Sequence, residues 1–154
     1  MGAERKGAHF LGEINKVAVR FKKGQVMKGT THDFVPGKPF FHLHILNSNE
    51  AVEIEVEELK AIFFVKNFAG KPDYSETRIF PREIPACKGR KIVVIFQDSE
   101  VISGYTFGYD PGRAGFFVMP ADEASNNERV FVVRSAVREV GIGLKADQIL
   151  AKNL

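Results

Sequence analysis

The sequence predicts an all-β chain in which a strongly bent, five-stranded sheet is made twice, with short helices at the two ends. Three observations carry this. Apolar residues recur at every second position in several short runs, which is the period of a strand. The stretch VAVRFKKGQVMKGTTHDFVPG, beginning at Val17, returns as IVVIFQDSEVISGYTFGYDPG from Ile92, 75 positions on, which makes duplication the simple explanation. Glycine and Pro-Gly stand where hairpin turns and mid-strand bends need them. Composition agrees: 44% hydrophobic and 27% charged residues, with 14 Phe in 154, provide for a core and exclude collagen-like, coiled-coil and wholly disordered chains.

Residues 3–14 are expected to form a short helix. The first repeat spans residues 15–66. Its first strand alternates Val17, Val19 and Phe21, and Lys23-Gly24 suits a tight hairpin turn. The next strand carries Gly29 at its middle, where a missing side chain permits the sharp bend that curls a small sheet into a barrel. Pro36-Gly37 fits a turn in which Pro fixes one residue and Gly takes positive φ at the next. Val52 to Glu57 alternates three apolar residues with three carboxylates, one set to each face. Residues 67–88, with Pro72, Pro81 and Pro85 and no sustained period, read as a connection; Phe68, Tyr74, Ile79 and Phe80 are expected to pack it onto a barrel.

The second repeat spans residues 89–142. Phe96 falls on Phe21, Val101 on Val26, Gly104 on Gly29 and Pro111-Gly112 on Pro36-Gly37, while Val132 to Val140 matches Ile54 to Ile62 with an offset of 78. Phe21 and Phe96 are therefore expected to be equivalent buried positions. Asp98-Ser99 takes the place of Lys23-Gly24. The apolar runs 61–65 and 130–133 suit burial on both faces, and the expected place for them is at open sheet edges covered by a neighbouring copy. A homo-oligomer, dimer or trimer, follows as an expectation. The tail, residues 143–154, reads as a short helix with Asp147 near its start and Ile149, Leu150 and Leu154 on its apolar side.

The run FKKGQVMKGT from Phe21, then His32-Asp33-Phe34, a turn, and Phe41-His42-Leu43, resembles the first motif of the Sm-like small β-barrels. That motif has a strand, a Lys/Asp-Gly turn, a bent glycine-bearing strand and a Phe-Asp turn in this order. The resemblance covers residues 15–66 and 89–142, and SH3-like barrels meet the same physical demands. It implies two small barrels in tandem and, because Sm-like proteins commonly bind RNA, it makes RNA a candidate ligand. The chain departs from the family where RNA is read. Val35-Pro36-Gly37-Lys38 and Asp110-Pro111-Gly112-Arg113 stand in place of an Asp-x-Asn signal, and no Arg-Gly follows the fourth strand of either copy. The chain is also similar to an uncharacterised bacterial family with the signatures FFHLH, ELKAIFFV and SNN..VFVVRSAV, which brings no activity with it.

His42-x-His44 puts two imidazoles on one strand face, and a hairpin at residues 35–38 would bring His32 alongside as a third zinc ligand if the register allows. The second copy has Phe107, Val118 and Pro120 at comparable places, so polar strand positions are the expected reading and no metal or cofactor is assigned. Arg134-x-x-x-Arg138 matches only the arginine half of a cyclic-dinucleotide motif. Cys87 has no histidine near it in sequence, and no nucleophile elbow or phosphate loop occurs, so an enzyme is not expected.

Charge is distributed unevenly. Residues 16–38 hold six bases against one acid, and residues 50–58 hold five acids and no base. The expected function is a non-enzymatic binding or adaptor module with a protein partner, another copy included. The alternative is RNA or single-stranded nucleic acid held by Arg20, Lys22, Lys23, Lys28 and Lys38, although a net charge of +3 argues for this only weakly. A single cysteine, no signal-peptide pattern and no run of about 20 apolar residues lead to an expected place in a reducing cytoplasm, without a membrane span.

Overall fold

A computed structural model describes residues 13–82 and 88–153. Most of the helix expected over residues 3–14 lies outside the described residues, as do Pro85, Cys87 and Leu154; Glu13 and Ile14 are not helical. The chain is mainly β. Strands β1 (Asn15–Phe21), β2 (Val26–Thr31), β3 (Phe40–Ile45), β4 (Ala51–Glu55) and β5 (Leu59–Val65) precede the connection. After it come β6 (Arg90–Phe96), β7 (Val101–Thr106), β8 (Gly115–Pro120), β9 (Asn127–Val133), β10 (Val137–Ile142) and one helix, α1 (Leu144–Lys152). A single 3-10 turn, Val56–Glu58 or Arg134–Ala136, joins the fourth strand of each half to the fifth. No helix among the described residues is long and apolar enough to cross a membrane.

All ten strands belong to one antiparallel sheet, in the order β10-β6-β7-β8-β9-β5-β1-β2-β3-β4. The sheet is not closed. The halves, expected as two barrels in tandem, share it, because β5 pairs with β9, Ile62 opposite Phe131 and Phe63 opposite Val130. Within each half the spatial order is the same: fifth strand, first, second, third, fourth.

Local chemistry explains the turns. Phe21 donates its N–H to Gln25 and Phe96 to Glu100, both at 2.9 Å, closing two equivalent hairpins. Gly24 sits at φ 104° and Ser99 at φ 75°, so the second hairpin places a residue with a Cβ in the left-handed region. Asp98 steadies it by accepting the Glu100 N–H at 3.0 Å. Gly37 has the positive φ expected of it, and Lys38 donates to the Val35 carbonyl at 3.1 Å. Gly112 departs from that expectation. Its φ lies outside the left-handed region, because Asp110 shapes this turn with its own carboxylate, which accepts the Gly112 N–H at 2.9 Å.

Gly29 and Gly104 let β2 and β7 run hard against their neighbours. A Cβ on Gly29 would strike the His44 carbonyl, and one on Gly104 the Met119 carbonyl, 75 residues further on.

Three cores result. Val17, Val19, Phe41, Leu43, Ile62, Phe64 and Phe131 build the first. Phe63, Ile92, Val94, Phe96, Phe116, Val130 and Val132 build the second. Along β5 and β9 alternate side chains go to different cores, so the two cores lie on opposite faces of the sheet where the halves join. This is why residues 61–65 and 130–133 are apolar throughout. They were expected at outer edges; they pair with each other instead, since a strand apolar on both faces is satisfied only with a core on each side.

The third core lies between α1 and the other face of β6, where Val93 and Ile95 meet Ala146, Ile149 and Leu150. Gly141 admits the helix, because a Cβ there would meet Ile149. Asp147 in its first turn pairs with Lys91 at 3.1 Å. In the connection, Phe68 and Phe80 pack onto cores as expected, but Ile79 stays exposed and Tyr74 turns its hydroxyl to Asp122.

Candidate functional site

The five basic residues assigned by sequence lie on β1, β2 and the two loops that follow them, and Arg20 and Lys28 line one cleft. Arg20 lies on the outward face of β1, its guanidinium 5.2 Å from the Phe63 ring. Lys22 bridges the halves: its ammonium donates to the Glu57 carbonyl at 2.6 Å and to Ser135 Oγ at 2.5 Å. Lys28, opposite Ala18 in the β1–β2 register, reaches the Phe68 carbonyl at 2.9 Å. Lys23 occupies the exposed hairpin, and Lys38 stands in the β2–β3 loop by a small cleft that Glu55 and Glu57 also line.

The histidines come partly together. The rings of His32 and His44 lie 5.3 Å apart. His42 instead pairs with Asp33, Nδ1 to Oδ2 at 2.7 Å, and donates its backbone N–H to the other carboxylate oxygen at 2.9 Å. No group of three or more ligating side chains suited to a metal occurs among the described residues. Arg134 begins the second 3-10 turn, and Arg138 donates to Ser99 Oγ at 3.1 Å, so these two do not make a paired grip.

A further concavity is one that the sequence did not single out. A cleft of about 600 Å³ opens between the β2–β3 turn of the first half, at Pro36 and Gly37, and the β7–β8 loop of the second, at Phe107 and Gly108. Its wall is aromatic. Phe117 and Phe131 face each other across β8 and β9, edge to face at 5.2 Å, and Phe34 from the first half packs on Phe131 at 4.9 Å. Gly115 keeps the cleft open, because a Cβ there would strike the Phe131 ring.

Two guanidiniums line it. Arg129 lies over the rings of Phe64 and Phe117, 4.4 and 5.0 Å from their centres, an arrangement in which the ring faces attract the cation. Arg113 comes from the β7–β8 loop, where Asp110 stands 3.5 Å away. Among the described residues, no acidic side chain lines the cleft. Such a site can hold an apolar group against the rings and an anion on the guanidiniums. The signal that pointed to it in the sequence is the aromatic, glycine and arginine mixture YTFGYDPGRAGFF from Tyr105, read above only as turn and strand.

Fold and site together define a mainly β protein: one open ten-stranded sheet, a single C-terminal helix, and an aromatic cleft where its two halves meet. Residues 13–143 match the Family of unknown function (DUF6982), and the chain belongs to that family. No curated protein and no solved structure matches the chain significantly.

Proposed function

We propose that the chain is a non-enzymatic binding module made of two Sm-like or SH3-like five-stranded units joined edge to edge, with the cleft between Pro36 and Phe107 as its ligand site. The observation that carries the reading is that both halves contribute to one apolar, arginine-bearing cleft with Phe107 two-thirds exposed at its rim (67%). Large apolar side chains left open beside a concavity mark interaction sites more often than bare surface does. The likeness to Sm-like units is supported by the order strand, tight turn, glycine-bent strand in each half.

The test is a photoreactive benzoylphenylalanine at position 107 and, as a control, at exposed Ile79. A discrete protein adduct that depends on position 107 is expected. An RNA adduct that disappears as salt rises would favour the nucleic-acid alternative. Equal labelling from both positions would overturn the reading.

Self-association belongs to the same proposal. The internal junction pairs the fifth strand of one half with the fourth of the other, and the two outer edges, β10 and β4, are a fifth and a fourth strand with no strand paired on their outer side among the described residues. Head-to-tail pairing of β10 with the β4 of a neighbour would repeat the internal junction.

A further inference from the structure

We infer that the occupant of the cleft is a short peptide segment carrying an apolar anchor beside an acidic side chain, a reading that rests on the cleft being the ligand site. The charge of Arg129 is the first ground. The centre of its guanidinium lies 4.4 and 5.0 Å from the centres of the Phe64 and Phe117 rings, which are inclined to each other by 55°, and among the described residues it has no carboxylate and no hydrogen-bond acceptor. Contact with ring faces uses none of its N–H groups as donors to oxygen, so they can take a carboxylate. Arg113 supplies a second cation, loosely held by Asp110 three residues away and largely exposed. With no acid among the described residues of the lining, an anion entering the cleft meets the two guanidiniums first, Asp110 competing for Arg113 alone.

The apolar wall and Phe107 set the second requirement, a side chain that exchanges water for aromatic surface. The surroundings decide between a peptide and a nucleic acid. A strand of nucleotides brings one phosphate per residue and needs a basic track leading away from the site. The neighbouring cleft shares Gly37, Ala114 and Phe131 with this one and carries Glu55 and Glu57 beside the lone Lys38. The lysines that would extend a track, Lys22 and Lys28, are bonded elsewhere. One anionic group therefore fits and a run of them does not.

The experiment uses the full chain, the fluorescein-labelled peptide GSGSFEGFGSGS, the same peptide with Gln for Glu, and a twelve-base oligo-dT. Anisotropy and amide chemical shifts are read together. The Glu peptide is expected to bind about tenfold more tightly than the Gln peptide, the effect of one good charge-assisted contact. Its shifts should centre on Phe107, Gly108 and Gly115, and Arg129→Gln should remove the preference. Phe107→Ser, which removes an exposed side chain and leaves the cores intact, should weaken both peptides alike. Equal binding of the Glu and Gln peptides in the cleft would overturn the acidic requirement and leave the binding-module reading standing, as would displacement of the peptide by oligo-dT. Cleft resonances that no probe moves, together with no position-107 adduct, would overturn both.

Discussion

Asp33 and His42 form an exposed ion pair at 2.7 Å. The hydrogen bond that the His42 ring donates to the Asp33 carboxylate raises the imidazole above its ordinary value, against partial desolvation, with the charges of Asp33 and Glu53 adding to the rise. For Asp33, burial pushes the carboxyl up, but the His42 backbone N–H, its ring and Thr31 together hold it below the usual aspartate value. The signs follow. His42 contributes stability that is complete below about pH 6.5, its unfolded value, and is lost as pH rises through the raised folded value. Asp33 contributes stability present above its unfolded value and lost as pH falls through the lowered one. A proton NMR titration should place the His42 ring above the ordinary histidine range, and Asp33→Asn should bring it back; a titration unmoved by that substitution would rule out the pairing. At the same scale Phe96 and Phe21, expected to be equivalent, are not. Phe96 is fully buried with the Lys60 ammonium 4.7 Å over its ring, whereas Phe21 is half-buried. Phe96→Ala should cost about 3 to 5 kcal/mol and Phe21→Ala roughly half as much, read from denaturant midpoints.

Strand by strand, the sheet depends on places where backbones touch. Gly29 and Gly104 each face a carbonyl of the adjacent strand. Gly29→Ala and Gly104→Ala must push β3 or β8 outward, at a cost of about 1 to 3 kcal/mol or more, since backbone cannot yield as a flexible side chain does. Equal stability of both variants and the wild type would mean the strands are not so close. The junction strand β5 adds an ionic clasp. Lys60, with only 9% of its side chain exposed, reaches Asp98 at 2.7 Å and also Glu100 on the second-half hairpin. That contact holds the Asp98 carboxyl below its usual range. Because burying the ammonium offsets much of the attraction, Lys60→Met should be nearly neutral in thermal unfolding, while Asp98→Ala, which weakens the pairing of a buried cation, should destabilise.

Taken whole, the molecule closes its most apolar edges on themselves. A fragment of residues 13–82 would expose β5, with Ala61 to Val65 buried in the intact chain, and should aggregate where the full chain does not. The outer edges differ in character. β4 carries Glu53 and Glu55 outward and β10 the adjacent exposed pair Arg138 and Glu139, so the proposed head-to-tail association rests mainly on backbone pairing, with only a partial charge match. Light scattering after size exclusion should find a dimer or trimer at low salt. A clean monomer at high concentration in both low and high salt would remove self-association from the proposal.

What was legible in the sequence is whatever depends on neighbours along the chain. Alternation from Val17 to Phe21 and from Val52 to Glu57 placed strands, Lys23-Gly24 and Pro36-Gly37 placed turns, and Asp147 with Ile149 and Leu150 placed the helix. Each is a local preference of φ/ψ or of one face for water, and no distant residue is needed to express it. The partner of each strand was not legible. An unbroken apolar run such as AIFFV says that both faces are covered without saying by what, and the pairing of β5 with β9 turned two expected barrels into one sheet. That pairing also brought Arg129 to Phe64 and the β2–β3 turn to Phe107, residues 65 and about 70 positions apart. The cleft was therefore decided by tertiary structure alone, because its walls are neighbours only after the two halves join.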